Sequence, residues 1–165
     1  MLAPLGATNI LDVSRWRVRP DVALTREAHS HLSRSSTAEC GCDGCLNFEA
    51  YRDQLLRSPL GELLLSLGID PPWEAEVYEM GKVAPGRHAY GAWYHFVGEL
   101  VSGGPAWHEL NPNLRTPAFE RFAPGIDVGL HTDCQLVRAS FKGLPLVQLE
   151  IAVEIPSVIS TPEPS

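Results

Sequence analysis

The chain holds four cysteines, and three of them, Cys40, Cys42 and Cys45, fall within six residues as C-x-C-x-x-C. Thiolate sulfur is a soft donor that suits zinc or copper(I), and zinc completes a tetrahedron with four ligands, its sulfurs at about 2.3 Å. Three thiols this close in sequence can reach one ion. Gly41 and Gly44 let the backbone between them turn tightly, because glycine adopts positive φ without a steric penalty. A fourth ligand must come from elsewhere. Cys134 is the first candidate and His131 lies on the same predicted strand, while His29 and His31 are nearer in sequence and Asp43 is less apt for a thiolate-rich site. The expectation is a zinc site of Cys40, Cys42, Cys45 and Cys134 with a structural or interactive role, the partner being a protein of unstated identity. Such a site stabilises a fold because its ligands are gathered only in the native state.

The same residues support two other readings. Free cysteine is commonly a small buried hydrophobe, which makes inert reduced thiols the plainest alternative. Cys42 and Cys45 are also a C-x-x-C pair at a predicted helix start, where the dipole and free amides favour a nucleophilic thiolate suited to redox exchange or to a thiol-dependent enzyme. A dithiol site of the thioredoxin kind follows a buried strand, whereas here a serine-rich polar run, His29 to Glu39, precedes it. Away from the cysteines, His95 sits among aromatic residues in Tyr90 to Gly98, and Glu76, Glu79 or Glu99 could approach it as an acid/base partner. A buried, hydrogen-bonded histidine is the commoner reading. Asp127, His131 and Asp133 could form a metal or hydrolytic group, although solvent-facing polar positions explain them as well. The aromatic strand Trp93 to Phe96 offers a third role, a module binding a small molecule or peptide. No nucleophile elbow, phosphate-binding loop, zincin helix or dinucleotide fingerprint occurs.

These groups need elements to position them. Residues 9–18 read as a first strand ended by Pro20, with a short second strand after it. Arg15, Arg17 and Arg19 alternate with apolar residues, as solvated arginines on an edge strand do. Residues 29–39 read as an exposed loop. From Cys45 the spacing turns helical, with Phe48, Tyr51, Leu55 and Leu56 in one stripe. Ser58 and Pro59 then open a second helix through Leu60, Leu63, Leu64 and Leu67, stopped by Gly68, and Pro71 and Pro72 force an extended exit. Strands follow at 74–80, at 92–101 as the central one, at 118–122, 126–136 and 146–155, with 106–117 as a loop rich in proline and asparagine. Two helices before a run of strands argue for an α+β fold, a mostly antiparallel sheet with a helical hairpin packed on one face. Residues 1–157 make one domain, and 158–165 a frayed tail.

Composition bounds the function. A chain of 165 residues needs neither disulfide nor metal merely to fold. The net charge is −7, and residues 1–38 hold five arginines against Asp12, Asp21 and Glu27, so the remainder is strongly acidic. An acidic body repels a phosphate backbone, so nucleic acid is not an expected partner. No apolar run approaches the ~20 residues of a membrane helix, so neither is a membrane. Residues 1–10 lack the basic start and cleavage site of a signal peptide, which argues against export.

Three motifs carry a resemblance: C-x-C-x-x-C-x-N-F at Cys40 to Phe48, Leu-Gly-Ile-Asp-Pro at Leu67 to Pro71, and the strand Tyr-Gly-Ala-Trp-Tyr-His-Phe-Val-Gly at Tyr90 to Gly98. Over roughly residues 40–156 the chain resembles a family of small bacterial proteins with no assigned activity. It departs from that pattern at Ala92, where the family has glycine, and at Ser157, where the family has tryptophan. The resemblance implies a bacterial, cytoplasmic protein and brings no function with it.

Overall fold

The computed structural model describes residues 9–70 and 73–159. The readings made for residues 1–8, for Pro71 and Pro72 and for the tail from 160 onward lie outside the described residues.

The first strand is a hairpin, not a single run. β1 (Leu11–Val13) and β2 (Trp16–Pro20) pair about Ser14, whose φ of 52° supplies the positive value that a two-residue hairpin turn takes at its first position. β2 is not an edge strand, because it lies between β1 and the central strand. Its arginines do face outward: Arg17 pairs with Asp12 and Arg19 with Glu99, while Arg15 of the turn lies 4.0 Å from the centre of the Trp16 ring.

Two helices occupy the region expected to hold a short strand and an exposed loop. α1 (Val22–Ser30) starts where Asp21 Oδ1 accepts the Leu24 N–H at 3.0 Å, and α2 (Ser36–Cys40) starts where Ser35 Oγ accepts the Ala38 N–H at 3.3 Å. Serine competes with helical hydrogen bonds inside a helix but satisfies free amides at its start, so a serine-rich stretch can announce a cap. The expected helical hairpin follows as α3 (Asp43–Leu56) and α4 (Pro59–Ser66). Ser58 caps α4 with Pro59 in its first turn, and Phe48, Leu55, Leu60, Leu63, Leu64 and Leu67 are buried.

The remaining chain forms β3 (Glu76–Ala84), β4 (Arg87–Ser102), β5 (Trp107–Asn111), β6 (Leu114–Pro117), β7 (Glu120–Ala123), β8 (Ile126–His131) and β9 (Leu146–Pro156). β5 and β6 make a separate hairpin where a loop was expected; Asn111 Oδ1 accepts the Asn113 N–H at 2.9 Å and so builds its turn from the residues that suggested a loop. The other seven strands form one antiparallel sheet in the order β1-β2-β4-β9-β8-β7, with β3 also on β4. The fold is therefore α+β with a mostly antiparallel sheet.

Register sorts the sheet into two unlike faces. Tyr94 lies opposite Leu149, and Leu149 opposite Leu130; with Ala92, Phe96, Val147, Ile151 and Val128 they form an apolar face sharing one core with Phe48, Leu60 and Leu64. One residue out of step on the same strands, Trp93 lies opposite Glu150 and His95 opposite Gln148, which is opposite His131. That second face is a polar strip, and the β5–β6 hairpin stands beside it: the Trp107 Nε1–H donates to Glu150 Oε2 at 2.5 Å.

Candidate metal centre

The three clustered cysteines sit where one helix stops and the next begins. Cys40 is the last residue of α2, Gly41 follows with φ of 66°, and its N–H closes α2 on the Thr37 carbonyl at 2.9 Å. A β-carbon would be strained in that conformation, so glycine is what lets the chain reverse here. Cys42 is the N-cap of α3, its Sγ accepting the Cys45 N–H at 3.5 Å. The C-x-x-C spacing thus coincides with the N-cap to N3 spacing of a capping box, with sulfur in place of the usual oxygen.

This junction brings the three Sγ atoms within 4.8 Å of one another. Four thiolates held about 2.3 Å from zinc stand roughly 3.8 Å apart, so the three need only close slightly on an ion. Cys40 and Cys42 are exposed and Cys45 is buried, which places the open side of the group at the surface. The thiols are electrically distinct. The Cys45 amide, aided by the Cys40 thiol, holds Cys42 below the usual thiol range. Burial pushes Cys45 up, and its neighbours Cys42 and Cys40 push it further.

Two buried side chains fix the junction to the rest of the fold. Asn47 Nδ2 donates to the Pro156 carbonyl at 3.2 Å and its Oδ1 accepts the Val158 N–H at 2.7 Å, which ties α3 to the end of β9. Arg52 donates to both carboxylate oxygens of Glu74, at 2.7 and 2.9 Å, and to Thr37 Oγ1 in α2 at 3.0 Å. Tyr90 of the central strand donates to the Gly44 carbonyl at 3.1 Å between the second and third cysteines of the cluster. Asn47 entered the sequence reading only as the asparagine of the C-x-C-x-x-C-x-N-F motif, with no role given to it, and Arg52 not at all; only their place on a helix, on the side of Phe48 and Leu55, pointed inward.

The other candidate ligands stand outside the group. Cys134 is half-buried after the end of β8, and burial, with Asp133 beside it, pushes its thiol up to about 11. His131 lies 3.1 Å from Glu150. His29 is buried against the His95 carbonyl at 3.3 Å, and His31 is exposed at the end of α1. Asp43 is exposed in the first turn of α3.

The acid/base pairs imagined for His95 do not form. Glu79 pairs with His88 and Glu99 with Arg19, while Glu76 Oε1 accepts its neighbour's Val77 N–H at 3.1 Å. Register decides this, because β9 puts Gln148 opposite His95, and Gln148 Oε1 lies 2.8 Å from His95 Nε2. The group of Asp127, His131 and Asp133 is likewise dispersed, Asp127 pairing with Arg121 at 2.6 Å and Asp133 lying 3.9 Å from Arg115. The carboxylate that does reach His131 is Glu150, whose alternation with Gln148 along β9 was visible but whose partner depends on strand order.

Among the described residues no helix is long and apolar enough to cross a membrane. No family model, curated protein or solved structure matches the chain.

Proposed function

We propose that this chain is a metal-binding structural or interaction domain that holds a zinc ion through Cys40, Cys42 and Cys45. The observation that carries the reading is the approach of three Sγ atoms to within 4.8 Å at one helix junction. A thiolate-rich donor set of this kind suits zinc, and with Cys134 outside the group the fourth position falls to water or to a side chain of a protein partner. The ion would tie α2 to α3 at the surface. The test is elemental analysis of protein purified without a metal-affinity tag and reconstituted with zinc, paired with a thiol count before and after chelation. One zinc per chain, with the cluster's thiols unmasked by chelator, is the expected result. No bound zinc and thiols indifferent to chelator would overturn it.

A second reading draws on the unequal thiols. A lowered, exposed Cys42 followed by a raised, buried Cys45 is the asymmetry of a dithiol that attacks with its first sulfur and resolves with its second. Two reagents on the metal-free protein separate the readings: alkylation that selects Cys42 below the ordinary thiol pKa of about 8.5, and a small disulfide that forms a mixed disulfide at Cys42 from which Cys45 then expels the reagent's second thiol to close Cys42–Cys45, together favour the dithiol.

A further inference from the structure

The polar strip of the sheet opens into a cavity of about 200 Å3 that shares no residue with the cysteine cluster. Two indoles wall it, Trp93 from β4 and Trp107 from β5. Each is held by another ring: Tyr78 packs against Trp93 with centroids 5.8 Å apart, and Phe119 meets Trp107 edge-on at 5.4 Å. The Trp93 Nε1–H is closed to solvent and the Trp107 Nε1–H is taken by Glu150, so both indoles offer the cavity ring carbon rather than a donor.

The charge around these rings is mainly negative. The carboxylates of Glu150 and Asp133 line the cavity against the one guanidinium of Arg115. Asp133 and Arg115 are exposed and stand 3.9 Å apart, so water screens both, whereas Glu150 is 5% exposed and a buried charge is screened far less. Its oxygens are already engaged: Trp107 donates to Oε2, Gln148 donates to Oε1 at 3.2 Å, and His131 Nε2 stands 3.1 Å from Oε2. The Gln148 carbonyl is taken in turn by the Gln135 N–H at 2.9 Å and by His95. The buried part of the cavity thus offers aromatic surface and a negative charge but no vacant acceptor. A protonated amine would bring N–H donors that go unanswered there, and a quaternary ammonium brings none.

We propose that this cavity binds a trimethylammonium group, its methyls against the indoles of Trp93 and Trp107 and its charge beside Glu150. A cation over an aromatic face is drawn to the ring's negative quadrupole, most strongly at tryptophan and where water is excluded. A cavity of roughly 150 Å3 already admits benzene, and a trimethylammonium group is of comparable size, so this one has room for the group and the start of the chain that carries it. Arg115 works against the ligand, but from an exposed and screened position. The site is independent of the metal reading.

Choline is the probe, and its control is the neutral isostere in which a tert-butyl group replaces trimethylammonium. In nitrogen–proton spectra the assigned indole N–H resonances report on the site, with Trp16, whose Nε1 is engaged by the Gly104 carbonyl at 3.0 Å, as the internal reference. Choline is expected to shift the Trp93 and Trp107 resonances saturably, with a Kd of about 1 mM or tighter, while Trp16 stays still. The neutral isostere should bind at least about tenfold more weakly. Arg115→Ala, at an exposed position, should hold choline as well as the wild type or up to about threefold more tightly. The amide of N-acetyl-trimethyllysine, run beside choline, separates the sources of the group: tighter choline binding assigns the site to a free small molecule, and tighter binding of the lysine derivative to a modified side chain. Unmoved Trp93 and Trp107 resonances would overturn the proposal. Equal binding of the neutral isostere, which would make this a merely apolar cavity, or a loss of choline affinity in the Arg115 variant would overturn it too.

Discussion

Cys40, Cys42 and Cys45 meet because six consecutive residues run out of one helix and into the next, whereas Trp93, His131, Gln148 and Glu150 meet because three strands far apart in sequence pair in one register. The first group is mostly exposed and its sulfurs face one another; the second is mostly buried and every charge in it leans on a neighbour. A local, exposed site can change occupant with little consequence for the fold. A buried network assembled across the sheet cannot, because each lost partner leaves a desolvated group behind. The two regions should therefore respond to perturbation in opposite ways.

The contrast can be broken most forcefully at Arg52, the point where the cysteine-bearing helices depend on a distant buried contact. Its side chain and that of Glu74 are 9% and 0% exposed, and removing one member of such a pair costs about 3–5 kcal/mol. Arg52→Ala should thus lower stability by about that amount in urea denaturation, the largest effect expected of a single substitution here. If the cluster is local, the variant still binds one zinc per chain wherever it remains folded. Loss of zinc under folded conditions would show that the cluster is held together from outside.

The next largest effect comes from acid, and it acts on buried histidines away from the cysteines. Burial lowers His29 from 6.5 to about 4 against the opposing pull of the His95 carbonyl, and burial lowers His95 as well, against the pull of Gln148. Both are neutral when folded at neutral pH, while the unfolded chain takes up protons from about pH 6.5 downward. The unfolded state then binds more protons, so stability falls as the pH drops from about 6.5 towards 4, by about 3 kcal/mol for His29 alone. Burial by itself would raise Glu150, but hydrogen bonds from His131 and Trp107 outweigh it and hold the carboxyl low, so its stabilisation is complete above the ordinary carboxyl range and is lost only below it. Urea titrations at several pH values measure the slope, and His29→Gln should flatten it. A wild-type profile level from pH 7 to 5 would contradict the buried neutral histidines.

What the sequence disclosed follows the same division. The cysteine cluster, the cap at Ser58 and the stop at Gly68 were legible because each is written in a few adjacent residues. The central strand was legible from its aromatic and β-branched content, although it runs to Arg87 and Ser102, beyond the aromatic stretch that revealed it. α1 and α2 were hidden because their apolar positions are few and their caps, Asp21 and Ser35, lie in stretches rich in turn-forming residues. The network around Glu150 was out of reach for another reason: alternation along β9 gives Gln148 and Glu150 a common face, but only the placement of β9 between β4 and β8 supplies Trp93, His95 and His131 as their neighbours.

The smallest expected effect is the sharpest test of the contrast. Cys42 has two duties, a sulfur facing Cys40 and Cys45 and a cap on α3, and serine separates them. Serine is among the best N-cap residues, and its oxygen can accept the Cys45 N–H now held at 3.5 Å by sulfur. Cys42 is exposed, so no cavity forms in the core. The metal-free Cys42→Ser protein should therefore match metal-free wild type to within about 0.5 kcal/mol, and differ from it only when zinc is added, which should stabilise the wild type alone. A loss of more than about 1 kcal/mol without metal would mean that the sulfur packs as part of the fold, and the cluster would then belong with the strip as a buried, interdependent group rather than with the surface.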